Sequence, residues 1–394
     1  MIITARQAII CEGADVVKNG ALLVKDALIM EVGSAESLKA KHPEEKVVDY
    51  GDATIMPGLI DMHVHVGGTK TRIDSEVRSA YIEGFNGLDF VQQALKSGVT
   101  TLRDVSSADG LCQSIINASK RGMVSGVPRL LHVNMALCST GGHAWASDIS
   151  FECDGVDEIR KAVRYQIRAG AQWIKVMTTH RTDGISEYTQ EELCVIVDET
   201  KRHLRKVAAH ASKHPGLDFC INAGVDTIEH GTDLTEEQIR RMIEKNITWV
   251  PTLYIHYVVL ERLQKKLDEG KSFTEREWET YNLYKPSNET FRNNLKKYAD
   301  MGVNIVAGTD MVLDGTAPVA DEVALMVEYG MDNMSAIAAG TSNCAKVLDM
   351  EGKIGLLAKG AQADILVVKG DPTKDIQALK NVEAVYFGGE KVHL

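Results

Sequence analysis

The chain lacks the features that mark secreted, membrane-spanning and disulfide-linked proteins. Its seven Cys residues are scattered and form no CxxC pair, which argues against a disulfide framework or a cysteine zinc site. No apolar run reaches the roughly 18 residues that span a bilayer. Residues 1–10 lack the basic segment and long apolar run of a secretory leader. We therefore expect a cytoplasmic protein that does not enter a membrane.

An excess of basic residues is also missing. The 394 residues include 44 Lys and Arg against 55 Asp and Glu, a formal net charge of −11. This balance offers no basic surface to nucleic acid or anionic lipid. Hydrophobic residues make up 44% of the chain and charged residues 25%, as in ordinary globular proteins. We expect about two folded domains that act on a small molecule and not on nucleic acid.

Both ends of the chain are rich in short strand patterns. The candidates are Ala21–Val24 and Ala27–Met30 around Lys25 and Asp26, then residues 363–368, then a hairpin over residues 382–392 that turns at Gly388 and Gly389. Two strand-rich ends around a long middle predict one small β-sandwich domain formed by both termini, from residues 1–57 and 350–394.

The middle of the chain alternates short apolar runs with ten or more residues of helical pattern. Eight such runs fall within about 250 residues, the size of a (β/α)8 barrel. They are residues 59–63, 99–104, 129–133, 173–176, 207–210, 227–230, 248–250 and 304–308. A doubly wound sheet would alternate similarly, but eight units and the lack of a Gly-rich first turn favour the barrel. We predict an α/β fold with a (β/α)8 TIM barrel over residues 58–349. A helical cap insertion at about 254–301 is either a substrate lid or a solvated helix pair.

Histidines stand at the predicted ends of barrel strands. His63 and His65 are two positions apart on one strand, so both imidazoles point to the same face. Alone, such a pair is more often structural than ligating. His210 and His230 end two further strands, and Asp310 ends the eighth. Because catalytic residues of such barrels gather at this face, the set predicts a metal site. Zinc is the leading choice, with Mn, Fe, Ni or Co as alternatives.

Lys175 ends the fourth predicted strand, so its amine should also point into the barrel mouth. Four roles are open at this point: a Schiff-base nucleophile, an electrostatic clamp, a buried salt-bridge partner, or carboxylation by CO2. Burial near cations lowers the pKa of an amine and supplies the neutral form that attacks CO2.

Together these residues resemble the amidohydrolase superfamily, and the resemblance spans nearly the whole chain. Within it, the chain is similar to the branch of Xaa-Pro dipeptidases and zinc carboxypeptidase-like proteins, which is related to imidazolonepropionase. The residues that carry the resemblance are Pro57–His65, Lys175, His210, His230 and Asp310, with residues 97–104 and 140–143 matching the branch.

The resemblance implies a binuclear centre of two divalent metals, with zinc expected, bridged by a lysine carbamate formed with CO2. The first metal would be bound by His63, His65 and Asp310, the second by His210 and His230, and carboxylated Lys175 would bridge them. A hydroxide held between the metals would be the nucleophile. Asp310 would accept its proton and return it to the leaving amine, and the second metal would polarise the scissile carbonyl.

Four residues are candidates for substrate contacts. His143, at the end of strand three, is also a candidate catalytic residue. The resemblance implies that it contacts substrate and that Tyr254 helps to bind the substrate carboxylate. Alternatively, His143 bonds a loop and Tyr254 packs beneath the cap. Residues 178–184 depart from the small Gly-rich loop that the branch has after strand four. There His180 or Arg181 could hold an anionic group, or could face solvent.

The expected function is hydrolysis of an amide bond in a dipeptide such as Xaa-Pro or in an N-acyl amino acid, by a homo-oligomer. The alternative is a mononuclear deaminase or a cyclic-amide hydrolase like imidazolonepropionase, although those relatives generally lack a bridging lysine. A non-catalytic scaffold would be expected to lose ligands, and this chain keeps them. Arg103 and Asp104 are expected to pair with each other inside the barrel in a structural role.

Overall fold

The computed structural model describes residues 1–11, 16–67, 80–179, 185–311 and 317–393. Its strands are β1 (Ile2–Thr4), β2 (Gln7–Ile9), β3 (Val16–Lys18), β4 (Gly20–Lys25), β5 (Leu28–Ser34), β6 (Val47–Asp49), β7 (Ala53–Pro57), β8 (Leu59–Val64), β9 (Val99–Asp104), β10 (Arg129–His132), β11 (Ala136–Cys138), β12 (Ser150–Glu152), β13 (Trp173–Met177), β14 (Lys206–Ala211), β15 (Thr227–His230), β16 (Thr248–Val250), β17 (Ile365–Lys369), β18 (Val382–Phe387) and β19 (Glu390–Lys391).

The helices follow the strands of the middle region in the alternating order that the sequence predicts. They are α1 (Ala35–Lys41), α2 (Ala80–Lys96), α3 (Leu111–Lys120), α4 (Gly155–Arg168), α5 (Gln190–Arg202), α6 (Gly216–Ala223), α7 (Glu236–Glu244), α8 (Leu253–Asp268), α9 (Glu275–Met301), α10 (Val319–Glu328), α11 (Asn333–Ala339) and α12 (Ser342–Val347), with a 3₁₀ helix over Ile376–Lys380.

Within the described ranges, the strands of the middle region pair with one another in parallel. They form one sheet in the order β10-β9-β8 and a second in the order β12-β11-β13-β14-β15-β16. These strands are buried along most of their length, which matches the near-continuous apolar runs of the sequence, because helices cover the outer face of such sheets. All carboxyl ends of strands paired in parallel lie at one edge, and the predicted metal ligands lie there.

The described strands do not form one closed ring of eight, because the pairing changes after the third predicted strand, residues 129–133. That strand contains β10, which pairs with β9, whereas the following strand, β11, pairs with β13 through Leu137 and Val176. Between β10 and β11, Asn134 has a φ of 67°. Its amide donates to the carboxylate of Asp109 and to the side-chain oxygen of Gln166, at 2.8 Å each. A left-handed residue held by side-chain bonds interrupts an extended strand.

The predicted eighth strand, residues 304–308, makes only a single β-bridge, between Trp249 and Ile305. On its other side the Met62 N–H donates to the Ala307 carbonyl at 2.9 Å. A side chain at Gly308 would have its Cβ only 2.7 Å from the Cβ of His63. The glycine therefore lets this segment lie directly against β8, beside the metal-site histidines.

Residues from both termini form two further sheets, in the orders β5-β4-β1-β6 and β19-β18-β17-β7-β2-β3. The first hairpin turns at Asp26 and Ala27, with φ values of 49° and 68°, one position later than predicted. Two residues of positive φ give the turn twist that matches paired strands. The hairpin of β18 and β19 turns at Gly388 and Gly389, as predicted.

One ion pair ties the terminal sheets to the parallel strands. Arg129, on β10, donates to Asp364 at 2.8 Å, and the other oxygen of Asp364 accepts the Gly388 N–H at 3.0 Å. The Asp364 side chain is 3% exposed. A carboxylate this buried depends on its partners for stability. The ion pair between Arg129 and Asp364 therefore links the stability of the terminal sheets to that of the parallel strands.

The predicted insertion after the seventh strand is occupied by α8 and α9. The α9 helix begins with a capping box in which the Thr274 side chain accepts the Glu277 N–H and Glu277 bonds back to Thr274. The start of α8 is capped from another element: Glu322, on α10, accepts the N–H groups of Leu253 and Tyr254 at 2.9 and 2.6 Å. None of the helices in the described part of the chain is long and apolar enough to cross a membrane.

Candidate metal centre

Four histidines from three strands converge at the carboxyl edge of the parallel sheets. The ring centroids of His63 and His65 are 5.5 Å apart, those of His63 and His230 are 5.0 Å apart, and those of His210 and His230 are 4.6 Å apart. The parallel register aligns β13, β14 and β15 with one another, so their last residues must meet.

Asp310 completes a group that could hold one metal ion. Ligand atoms of His63, His230 and Asp310 all lie within 4.8 Å of one another. The Asp310 Oδ1 atom is 3.3 Å from Nε2 of His65 and 3.5 Å from Nε2 of His63. Asp310 has a φ of 48°, a backbone conformation that turns its carboxylate towards the histidines, and its N–H donates to the His63 carbonyl at 2.8 Å.

Hydrogen bonds fix the tautomers of three of these histidines. Nδ1 of His65 is 2.8 Å from the Ser106 carbonyl, which can only accept, so Nδ1 carries the proton. Nδ1 of His63 is 2.7 Å from the Glu229 carboxylate. Nδ1 of His230 is 2.8 Å from the Thr252 hydroxyl, and that hydroxyl donates to the Pro251 carbonyl and therefore accepts from the histidine.

The consequence of these three bonds is a set of Nε2 lone pairs with no proton. Neutral imidazoles oriented through Nδ1–H are the usual form of metal-binding histidine. Burial lowers the pKa of His63, His210 and His230 well below the usual value, which favours the same neutral form. The donor set therefore fits a divalent metal.

Glu229 is a functional residue that the sequence reasoning missed. Its side chain is fully buried and accepts from His63 through one oxygen and from Arg103, at 2.8 Å, through the other. The sequence does place a carboxylate next to His230 on a predicted buried strand. Because a buried carboxylate requires a partner, this position could have identified Glu229. Arg103 also donates to the Met62 carbonyl at 2.6 Å.

The predicted pair between Arg103 and Asp104 is wrong. Neighbouring residues of a strand point to opposite faces, so the two side chains separate. Arg103 points towards Glu229, whereas Asp104 accepts the Val66 N–H at 2.9 Å. Burial raises the pKa of Asp104 to about 6.

Asp61 fixes β8 to the segment that carries Asp310. Its carboxylate accepts the N–H groups of His63 and Thr309, each at 3.0 Å, and the Thr309 hydroxyl at 2.7 Å. Burial raises the pKa of Asp61 to about 7. Burial also raises the pKa of Asp310, but its surroundings in the site outweigh burial and lower that pKa to about 2, so Asp310 is ionised at neutral pH.

Lys175 lies on β13 with 1% of its surface exposed. None of the ion pairs between described residues includes it, so the structure does not place it in a salt bridge. Burial lowers the pKa of its amine to about 8, against the opposing influence of Glu229 and Asp310. A substantial fraction of the amine is therefore neutral near pH 8 and able to act as a nucleophile.

The two remaining described candidates lie at the edge of the site. The His143 ring stacks on that of His210, with centroids 4.4 Å apart and planes at 17°. His143 was expected at the end of strand three, but β11 ends at Cys138 and His143 lies in the loop that follows. Tyr254 is in the first turn of α8 and packs against a cluster that includes Met311. His180 and Arg181 lie outside the described residues.

The family of the chain is decided by comparison with known sequences. The model of the amidohydrolase family matches residues 54–392. The chain belongs to the amidohydrolase family. This amidohydrolase is 29% identical over 409 residues to the ochratoxinase of Aspergillus niger, covering 93% of this chain and 81% of that protein. It is 24% identical over 397 residues to the imidazolonepropionase of Geobacillus sp. (strain WCH70), covering 89% of this chain and 84% of that protein.

Among solved structures, the amidohydrolase resembles a Xaa-Pro dipeptidase with methionine bound in its active site. The two are 29% identical with a TM-score of 0.87, and the match covers 99% of each chain. These findings confirm the predicted superfamily and a TIM-barrel-like α/β fold. The protein is a hydrolase that acts on amide C–N bonds.

Proposed function

We propose that this amidohydrolase is a metal-dependent enzyme that cleaves the amide bond of a dipeptide such as Xaa-Pro or of an N-acyl amino acid. The observation that carries the proposal is the tautomer-fixed set of His63, His65 and His230, whose unprotonated Nε2 atoms lie beside the ionised Asp310. Such a set has little use in a protein without a metal, since burying polar groups costs free energy.

The proposed centre has two metal positions. His63, His65 and Asp310 would hold one ion, and His210 and His230 a second. A carbamate on Lys175 would lie between them, which its buried and partly neutral amine supports. Zinc suits these ligands, and Mn, Fe, Ni and Co remain alternatives.

A bound divalent metal supplies what side chains lack, because it lowers the pKa of water towards roughly 7 and polarises a carbonyl. The protein supplies the proton transfer. A carboxylate oxygen of Asp310 accepts a proton from the attacking water and later returns it to the leaving amine nitrogen. Its position against His65 and its backbone bond to His63 hold it at one place through both steps.

Four residues are proposed to contact substrate. His143 contacts the substrate, Tyr254 helps to bind its carboxylate, and His180 or Arg181 holds an anionic group of the substrate. The dipeptidase with bound methionine supports an amino acid as product.

The proposal also covers the domain organisation. Residues 1–57 and 350–394 form a small β-sandwich domain, and α8 and α9 form a cap beside the barrel mouth.

A cyclic-amide hydrolase is the second candidate function. The likeness to imidazolonepropionase favours it, whereas the buried Lys175 beside Glu229 favours the binuclear peptidase-like centre.

Product release distinguishes the two candidates. Metal-loaded enzyme is incubated with N-acyl amino acids, Xaa-Pro dipeptides, cyclic amides and aminated heterocycles, and free amino acid, ring-opened product and ammonia are quantified. Free amino acid supports the proposal, and its loss with a chelator and recovery with added metal supports metal dependence. Ring opening or ammonia without free amino acid contradicts it. Turnover of none of these substrates with metal bound would contradict both candidate functions.

The Lys175 carbamate is tested separately. Enzyme prepared with metal and ¹³C-bicarbonate should show a protein-bound carbamate carbon by NMR, and Lys175→Met should not. An ordinary amine at Lys175 in metal-loaded wild type would contradict the bridge.

A further inference from the structure

Three carboxylates hold the loop that follows β11. The backbone N–H of Thr140 donates to Asp154 at 3.2 Å and that of Gly141 donates to Glu152 at 2.9 Å. Both contacts are on the exposed side of the loop. The third carboxylate, Glu187, accepts the backbone N–H groups of Ser139 and His143, on either side of these two residues.

Glu187 uses its two oxygens in different directions. One accepts the His143 N–H at 2.5 Å, and the other accepts the Ser139 N–H at 3.4 Å and lies 3.5 Å from the Ser139 hydroxyl. The Glu187 N–H donates to the Thr178 carbonyl at 3.0 Å, and Thr178 directly follows β13. The carboxylate is therefore fixed to the strand that carries Lys175.

Gly142 shows how closely this carboxylate approaches the loop. A Cβ at this position would lie 2.2 Å from Glu187 Oε2 and 2.6 Å from the Ser139 hydroxyl oxygen. Both distances are far below ordinary contact, so a side chain here would displace the carboxylate. Gly142 is buried and its own N–H donates to the Ser139 carbonyl at 2.9 Å. Only glycine fits between the two groups.

The result of this arrangement is the position of the His143 ring. His143 lies immediately after Gly142, and its ring stacks on His210 at 4.4 Å. The His143 ring contacts the metal cluster, whereas Thr140 and Gly141 of the same loop are exposed. A shift of the His143 backbone would move the ring away from the cluster.

We propose that Glu187 is a positioning residue that fixes His143 against the metal cluster for substrate binding. The proposal rests on the function proposed above for the site as a whole. A carboxylate is required because two sets of donors face its two oxygens. A glutamine would present an amide NH₂ group to one of them and lose that bond.

The test compares Glu187→Gln, His143→Ala, the double variant and Asp154→Asn in metal-loaded enzyme, with the amide substrate that wild type cleaves best. Glu187→Gln is expected to raise KM about tenfold with kcat nearly unchanged, the effect of losing one charge-assisted hydrogen bond that orders a binding group. In the His143→Ala background the same change should have no further effect. Asp154→Asn removes an anchor of the same loop that does not reach His143, and its KM should stay near the wild-type value.

Equal losses from Glu187→Gln and Asp154→Asn would overturn the proposal, because general loop order would then explain both. An effect of Glu187→Gln that persists in the His143→Ala background would overturn it as well. Crystal structures of wild type and Glu187→Gln give a readout that needs no substrate. The His143 ring should leave its stacked position on His210 in the variant, and an unmoved ring would refute the positioning role. Failure of the amide hydrolysis itself would appear separately, as an inactive wild type.

Discussion

Replacing Glu229 by glutamine removes the charge that connects a buried arginine to a metal-site histidine. Glu229 accepts from His63 at 2.7 Å and from Arg103 at 2.8 Å. Glutamine has the same shape but only one acceptor oxygen. Either Arg103 or His63 must then face an NH₂ group. If His63 does so, its Nδ1 must become the acceptor, the proton moves to Nε2, and the lone pair that would bind the metal is lost.

Two losses are expected from this change. Leaving a buried arginine without its partner costs about 3–5 kcal/mol. With an unfolding entropy of about 2.1 cal/mol/K per residue and 394 residues, a loss of about 4 kcal/mol lowers Tm by roughly 5 °C. Loss of the carboxylate behind a histidine ligand lowers metal affinity about 10–100-fold.

The assays separate the two losses. Calorimetry of the metal-free protein gives Tm, and competition with a chromophoric chelator gives the metal affinity. The double variant Arg103→Leu/Glu229→Gln removes both charges, so it should regain much of the stability while its metal affinity stays low. Glu199→Gln is the matched control, since Glu199 is a carboxylate with 1% exposure that pairs with Arg160 and Arg164 away from the metal cluster. Wild-type metal affinity in Glu229→Gln would refute the tautomer argument.

Three further predictions concern other parts of the molecule. Asp310→Asn should keep the fold, with Tm within a few degrees of the wild-type value. It should reduce kcat by at least about 100-fold, because that is the contribution of a general base. Full turnover in the metal-loaded variant would exclude the proposed proton transfer by Asp310. Burial raises the pKa of Glu322 to about 8 in the folded protein, so the folded state retains a proton that the unfolded state releases near pH 4.5. Stability should then fall as pH rises from about 5 to 8, and chemical denaturation of Glu322→Gln should show a shallower decline. Arg129→Ala leaves the buried Asp364 without its cation and should cost about 2 kcal/mol, measured in urea; an unchanged midpoint would show that the ion pair does not tie the terminal sheets to the parallel strands.

The sequence was informative where chemistry and strand periodicity coincide. His63, His65, His210 and His230 were predicted at the carboxyl ends of their strands, and the structure brings them together because parallel strands must end at a common edge. The resemblance to amidohydrolases came from the same positions and is confirmed by the family match.

The contacts that complete the site depend on the third dimension and could not be predicted from spacing. The partners of the histidines are a carbonyl of Ser106 and a hydroxyl of Thr252, groups that occur throughout any sequence. The predicted pairing of Arg103 with its chain neighbour Asp104 was wrong because adjacent side chains of a strand point to opposite faces. Closeness in sequence is therefore a poor guide to pairing on a strand. The break at Asn134 depends on side-chain bonds to two distant residues, so the apolar run through residues 129–133 gave no sign of it.

The sheet shared by both ends of the chain constrains how the protein can be made. In it β7 pairs with β2, near the N-terminus, and with β17 through contacts such as Ile55 with Val367. A ribosome that adds about 5–20 residues per second needs on the order of 15–60 s to synthesise the roughly 300 residues between those strands. Throughout that interval the edge of β7 has no partner, and an unpaired edge invites association with other nascent chains. Expression yield should therefore respond to translation speed and chaperone supply, and removal of the last 30 or so residues should block maturation of a chain whose metal ligands are all already in place.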